Sequence, residues 1–476
     1  MNEFDNKPIG DTQSLTQSLT QSFTQPLSES HSHENTAING PIFSTFLKFL
    51  IPSLVGIIAM STAAIVDAIF IGNYVGAQAL AAVNLIMPFM SLLFGIGLTL
   101  SIGGSVRAGK YIGENNNRAA SAIFSKTLIV MSALAILICV TGFVWHESLF
   151  KSFGANEIVL PLMAEYFLPL LPFLVAQIIT IVLYFFVRID GHPNLAATAL
   201  ALGSVLNIAL DYLFIVEFGW GLKGAALATG LAQLIPMLIL MSYFLDKNRK
   251  LMLSFKQTKW FEVFSALYNG LSEFVSEISA GVIAFILNWL LITSVGVEGV
   301  AAITVVNYLI MVGFMMFFSV GDACQVIISQ NFGAKKIKRI EHFLRLAFII
   351  TALVSVMCIV PLLVFTEVLI AVFLEQTALE TMILAKQYVE IIWILFLFVG
   401  FNMVISAYLT AVHLPAQSAF VAIFRALILP GVLLLVLFLF IEDVHFLWAL
   451  PLAEILSFAL ALGLFVNHQP KKRISQ

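Results

Sequence analysis

Two polar residues one helical turn apart, Asn207 and Asp211, lie in an otherwise apolar run from Ala196 to Val216. A carboxylate among leucines and alanines is costly to hold in lipid, so it normally faces a protein interior or a water-filled path. An amide and a carboxylate on the same face of a helix can bind a proton or coordinate a small hard cation. These residue types at this spacing therefore indicate an ion-binding site inside a membrane.

The composition agrees with that setting. Hydrophobic residues make up 60% of the 476-residue chain and charged residues only 11%, which is far from the composition of a soluble globular protein. The chain is predicted to be an all-α polytopic membrane protein, because only helices satisfy the backbone of such long apolar segments in lipid. Its net charge of −3 and its lack of a dense basic patch argue against a nucleic-acid partner.

Twelve apolar segments are long enough to cross a hydrocarbon core of about 30 Å. They are predicted near residues 44–71, 80–106, 119–144, 160–187, 195–216, 224–245, 268–292, 300–328, 344–366, 385–411, 416–440 and 446–466. Lysines and arginines concentrate in the loops on one side, with only Lys151, Lys223 and Lys386 assigned to the other. The positive-inside rule then places both termini in the cytoplasm and the protein in the cytoplasmic (inner) membrane.

The chain resembles itself after a shift of 220 residues. Val75-Gly76 matches Val295-Gly296, Phe94 matches Phe314, and Gly113 matches Gly333. Since this shift equals six spans, the two halves have the same orientation and form a parallel repeat. The predicted organisation is a disordered cytoplasmic tail (1–41), a six-helix lobe (42–245), a cytoplasmic linker (246–262), a second six-helix lobe (263–466) and a basic cytoplasmic tail (467–476).

Several segments resemble one family in order and spacing. They are DAIFIG at 67–72, VG at 75–76, ALAAVN at 79–84, DGHP at 190–193, LNIALD at 206–211, GAALAT at 224–229 and QNFGA at 330–334. The chain is similar over about residues 43–466 to the multidrug and toxin extrusion (MATE) transporters, and within them to the bacterial multidrug exporters.

The topology and the resemblance converge on four residues of the first half. From the predicted spans, Asp67, Asn207, Asp211 and Thr229 lie roughly 8–14 Å beneath the outer surface, at 1.5 Å per helical residue. The resemblance implies that they form the cation-coupling site of the N-terminal lobe, which holds H⁺ or Na⁺, and that Pro52 marks a bend in the first helix. No structural metal and no other cofactor is expected.

The second half contains a different set of acids. Glu273 and Glu277 lie one turn apart near the cytoplasmic end of span 7, and Asp322 lies at a similar depth on span 8. They form a possible second ion or substrate site. The counterpart of Asp67 in this half is Leu287, so the repeat did not duplicate the first site.

These features favour a secondary active antiporter that exports cationic or amphipathic organic compounds, acting as a monomer in lipid. Acids outnumber bases within the spans, and Arg425 is the only basic residue predicted to lie well inside one. An acidic cleft with methionines and phenylalanines suits lipophilic organic cations. The alternative is a flippase for lipid-linked saccharides, whose anionic cargo would call for basic residues. A channel is a further alternative. No enzyme is predicted, because the chain has no Walker, His-Glu-x-x-His or clustered-histidine motif.

Overall fold

Twelve apolar helices of 24 residues or more dominate the protein. The structure is a computed structural model and describes residues 35–373, 379–441 and 443–474. The helices are α1 (Ile42–Val75), α2 (Gln78–Gly113), α3 (Asn117–Ser152), α4 (Val159–Ile189), α5 (Pro193–Glu217), α6 (Gly221–Leu245), α7 (Leu271–Ser294), α8 (Val297–Gly333), α9 (Ile337–Val364), α10 (Leu379–Ala411), α11 (Pro415–Phe440) and α12 (Val444–Asn467). The prediction of twelve spanning helices is confirmed, and no strand occurs among the residues described.

Several helices extend beyond the predicted spans. Helix α2 was expected to end near residue 106 and continues to Gly113, carrying Lys110 in its last turn. The apolar pattern marks only the length that lipid requires, whereas the helix itself continues into the interface. The predicted disordered tail of residues 1–41 falls mostly outside the described residues. Within it, however, Thr36–Asn39 form a helical turn before α1.

The helices form an N-terminal lobe (α1–α6) and a C-terminal lobe (α7–α12). Because the chain crosses twelve times, Ile42 and Asn467 lie at the same end of the bundle, here called the basic end. The largest apolar core combines the basic-end halves of helices from both lobes, including Phe49 of α1 and Ile327 of α8. Towards the opposite end each lobe has a core of its own. The two lobes are therefore packed together at the basic end and separate at the other.

Glycines allow the two lobes to approach closely at the basic end. A Cβ added to Gly113 of α2 would meet the carbonyl of Gln330, and one added to Gly333 of α8 would meet the carbonyl of Lys110. These two glycines are also a matched pair of the sequence repeat. Their lack of a side chain lets the backbones of α2 and α8 touch across the boundary between the lobes.

The segment between the lobes follows the surface of α3. The backbone N–H groups of Met252 and Ser254 donate to the hydroxyls of Ser121 and Ser125, at 3.0 and 2.8 Å. The predicted linker of residues 246–262 includes the start of a short helix, Phe261–Asn269, which leads into α7. The linker is thus attached to the N-terminal lobe before it enters the second lobe.

One buried histidine lies in the turn between α10 and α11. His413 has a positive φ of 56°, and its Nε2 is buried without a hydrogen-bond partner among the residues described. The pKa of His413 is lowered to about 3, mainly by burial and further by the positive charges of Lys110, Arg107 and Arg473. The imidazole is therefore neutral in the folded protein.

Candidate functional site

The first candidate site lies in the N-terminal lobe, where α1, α5 and α6 contribute polar side chains. The carboxyl groups of Asp67 and Asp211 are close neighbours. The side chain of Thr229 lies next to Tyr166 of α4, and Tyr166 is close enough to both aspartates to interact with them electrostatically. Asn207 is one turn from Asp211 on the same face of α5. Asp67, Asp211 and Thr229 thus share Tyr166 as a neighbour.

Several buried polar atoms of this site lack a hydrogen-bond partner among the described residues. They include Oδ1 of Asp67, both carboxylate oxygens of Asp211, Nδ2 of Asn207 and Oγ1 of Thr229. Asp211 is 0% exposed. Buried polar groups in proteins are almost always paired, and an unpaired buried carboxylate is strongly unfavourable. Since two carboxylates cannot donate to each other, a proton between them or a cation at their oxygens would satisfy the arrangement.

Both aspartates lie beside irregular turns of their helices. Asp67 precedes the π-helical turn Ile71–Val75 by four residues, and Asp211 comes directly before the π-helical turn Tyr212–Glu217. Such turns are frequent at functional sites. Pro52, in contrast, is buried within α1, whose helical segment Ile42–Phe70 runs through it without interruption.

The second candidate site is a cavity of about 530 Å³ between helices of the C-terminal lobe and α2. All three predicted acids, Glu273, Glu277 and Asp322, line it, as does Leu287. Its apolar wall includes Met311, Phe314, Met315 and Phe318 of α8. The structure therefore brings the predicted residues of the C-terminal lobe to one space.

Two of the acids that line the cavity are paired with arginines. Arg425 binds Glu454 with Nε and Oε1 3.0 Å apart, and Asn402 donates to the other oxygen of Glu454 at 2.6 Å. Asp322 pairs with Arg188.

The other two acids have no cationic partner among the described residues. Glu273 accepts a hydrogen bond from the neutral side chain of Gln325 at 3.1 Å. Glu277 makes no ion pair or hydrogen bond with any described residue. The cavity therefore contains two acidic side chains that no arginine or lysine of the described residues binds.

One residue lies elsewhere than predicted. Arg188 was expected in the loop after span 4, with Arg425 as the only basic residue well inside a span. The expectation was wrong, because α4 continues to Ile189 and Arg188 is 0% exposed within it. A charge near the end of an apolar segment resembles an interfacial residue in sequence. Its acidic partner, 134 residues away, is visible only in the fold.

The sequence interpretation also missed Tyr166, Asn402 and Glu454. A signal was present for two of them. Glu454 is an acid inside a spanning helix, which by itself indicates function or pairing. Tyr166 lies seven residues after Val159, the first residue of α4, and hence at about the depth of the aspartates. No pattern in the sequence distinguishes Asn402 from other polar residues that pack within helices.

Known bacterial proteins resemble this chain over most of its length. The chain is 26% identical to "Probable multidrug resistance protein YoeA" of Bacillus subtilis over 78% of its own length and 81% of that protein. It is 21% identical to "Multidrug export protein MepA" of Staphylococcus aureus, covering 90% and 94% of the two chains. An "FAD transporter" of Shewanella oneidensis is 24% identical, with 82% and 87% covered.

The fold is shared with solved transporters. A structure described as the outward-facing conformation of a MATE transporter superposes with a TM-score of 0.84 at 23% identity, covering 92% of this chain and 97% of the other. The MatE family model matches residues 52–213 and 274–436. The matched segments start 222 residues apart (52 and 274), close to the 220-residue internal repeat, and one falls in each lobe. Because together they span more than half of the chain and coincide with its two lobes, this protein belongs to the multidrug and toxin extrusion family.

Proposed function

We propose that the protein is an antiporter that exports cationic or amphipathic organic compounds in exchange for H⁺ or Na⁺. The observation that carries the proposal is the neighbouring pair of aspartates, Asp67 and Asp211, whose buried oxygens lack hydrogen-bond donors in the part of the chain that the structure describes. A site of this kind needs a proton or a cation when it is buried. It can release that ion when the helices around it move and water enters. This requirement links ion binding to conformation.

The ion site and the cargo site lie in different lobes. Asp67, Asn207, Asp211 and Thr229 supply carboxylate, amide and hydroxyl oxygens, which suit either a proton or Na⁺. The cargo binds in the cavity of the C-terminal lobe, where Glu277 supplies an uncompensated negative charge. Methionine and phenylalanine side chains provide a wall that adapts to different apolar groups and attracts cations.

The basic end faces the cytoplasm by the positive-inside rule. With the lobes packed together at that end, the structure corresponds to a state closed towards the cytoplasm. Export requires a second state in which the lobes separate there and admit cargo, as in other transporters built from repeated lobes.

An anionic cargo is the main alternative, and the cavity disfavours it. A flippase for lipid-linked saccharides would need cationic groups to bind its cargo. Arg425, which lines the cavity, is bound by Glu454. Glu273 and Glu277 would also repel a phosphate.

Transport by purified protein in proteoliposomes tests the proposal. We expect an imposed H⁺ gradient or an imposed Na⁺ gradient, each applied alone at zero membrane potential, to drive tetraphenylphosphonium in the direction opposite to the ion. Tetraphenylphosphonium is a lipophilic organic cation. The variant E277Q is expected to need about tenfold more tetraphenylphosphonium for half-maximal transport, because one charge-assisted interaction is lost. Tetraphenylphosphonium transport that is independent of both gradients would contradict antiport. An unchanged affinity of E277Q for tetraphenylphosphonium would contradict the assigned cargo site.

A further inference from the structure

Asp322 joins the two lobes through a buried cluster. On the C-terminal lobe, its Oδ2 accepts a hydrogen bond from Arg188 of α4 and another from Ser53 of α1, the latter at 2.6 Å. The side chains of Arg188 and Asp322 are 1% and 3% exposed. A charged pair is therefore enclosed where helices of both lobes meet.

Because of this buried ion pair, the lobes can close at the basic end only under a certain condition. Removing two charges from water offsets most of their mutual attraction, so the intact pair adds little net stability. A single unpaired charge in the same place is strongly unfavourable. The lobes can therefore close around Asp322 only when something neutralises its carboxylate.

Asp322 and Arg188 can each still bind another partner. Both hydrogen bonds to Asp322 use the same oxygen, and the residue also lines the cargo cavity. Nε and Nη2 of Arg188 are buried without a hydrogen-bond partner among the described residues. The contact therefore engages one nitrogen, whereas the strongest arginine–carboxylate pairs engage two. A cation in the cavity could replace Arg188 at this carboxylate once the lobes separate.

We propose that Asp322 alternates between two cations: Arg188 when the basic end is closed, and the positive group of the cargo when it is open. Arg188 is then the internal competitor that displaces the cargo as the lobes close. This inference rests on the proposed export of organic cations, but its first half, the closing pair, can be tested without any cargo.

A cysteine at position 329 reports whether the basic end is open. Ser329 of α8 is buried, and a Cβ on Gly109 of α2 would meet its hydroxyl. In a parent protein with S329C as the sole cysteine, after C139A, C324A and C358A, a water-soluble maleimide should react only when α2 and α8 separate. The rate of alkylation in lipid nanodiscs then measures opening.

The variant R188Q should speed this alkylation by about a hundredfold, because closing would bury Asp322 unpaired. The double variant R188Q/D322N should return to within about threefold of the parent, since neither charge remains. The control is K386Q, which breaks an ion pair with Glu367 of the same lobe, outside the cavity, and should leave the alkylation rate unchanged. An unchanged rate in R188Q, or a double variant as open as the single, would overturn the closing role.

The cargo arm uses tetraphenylphosphonium. Saturating tetraphenylphosphonium should raise the alkylation rate of the parent about tenfold and should not raise that of D322N. An equal response in both would refute the exchange while leaving the proposed export intact. Failure of the parent to bind the cation would instead refute the proposed cargo, and the cargo-free alkylation data would still decide the closing role. If R188Q does not fold, D322N leaves Arg188 unpaired and should itself show the faster alkylation.

Discussion

Replacing Asp211 by asparagine should uncouple transport without damaging the fold. The substitution keeps the side-chain shape and removes one of two facing carboxyls, and the new amide can donate to Asp67. Breaking a buried charged interaction is worth about 3–5 kcal/mol. We therefore expect D211N to bind the coupling ion roughly 10²- to 10⁴-fold more weakly. Export driven by the ion gradient should then fall below detection.

Gradient-driven efflux of tetraphenylphosphonium from proteoliposomes measures this loss. The matched control is E217Q, the same chemical change six residues further along α5. Glu217 is exposed and accepts a hydrogen bond from Tyr212 at 2.6 Å, away from the site. We expect E217Q to transport at close to the parent rate.

Thermal unfolding separates uncoupling from misfolding. Because the buried oxygens of Asp211 have no donors, removing the charge should leave the midpoint of unfolding unchanged or raise it. A D211N protein that exports at the parent rate would refute the coupling role. A D211N protein with a strongly lowered midpoint would refute the claim that the carboxyl is held for function rather than for the fold.

Three further outcomes follow from other parts of the structure. Y166F should raise the ion concentration for half-maximal transport about tenfold, since a hydroxyl beside the aspartates is lost. G333A should destabilise the protein by about 1–3 kcal/mol in thermal unfolding, because its methyl group meets the carbonyl of Lys110. The control G463A should not destabilise the protein, because a Cβ at that position has nothing within 4 Å. Equal losses of stability in the two variants would contradict the close approach of α2 and α8. The pKa of His413 is about 3 when folded and about 6.5 when unfolded, so the unfolded chain gains the extra proton as pH falls below about 6.5. H413N should therefore remove up to about 1.4 kcal/mol per pH unit of acid destabilisation, and an unchanged slope of unfolding midpoint against pH would contradict this.

Much of the N-terminal site was predictable because it depends on local rules. Asp67 and Asp211 stand out as acids in apolar segments, and helical rise together with alternating topology places them at one depth. The same reasoning assigned Glu277 and Asp322 to a similar depth, and both line one cavity together with Glu273. The depth of a residue in the membrane follows from its position along a spanning helix, so it can be predicted from the sequence.

Lateral neighbours were not predictable in the same way. Whether Asp322 faces the cargo cavity, the partner lobe or both depends on how α8 is rotated against α1 and α4. Arg188 looked like a loop residue because its position near a helix end is typical of the interface. Its burial depends on the close packing of the two lobes at the basic end.

The sequence alone determined the membrane setting, the number of helices, the repeat and the acids that mark the first site, because each follows from composition, length and period. The tertiary structure alone decided which acids of the C-terminal lobe are paired with arginines. Arg188 meets Asp322, Arg425 meets Glu454, and Glu277 is left without an ion pair among the described residues. The physical reason is that the energy of a buried charge depends on its neighbours within a few ångströms, and in a helical bundle those neighbours come from distant parts of the chain.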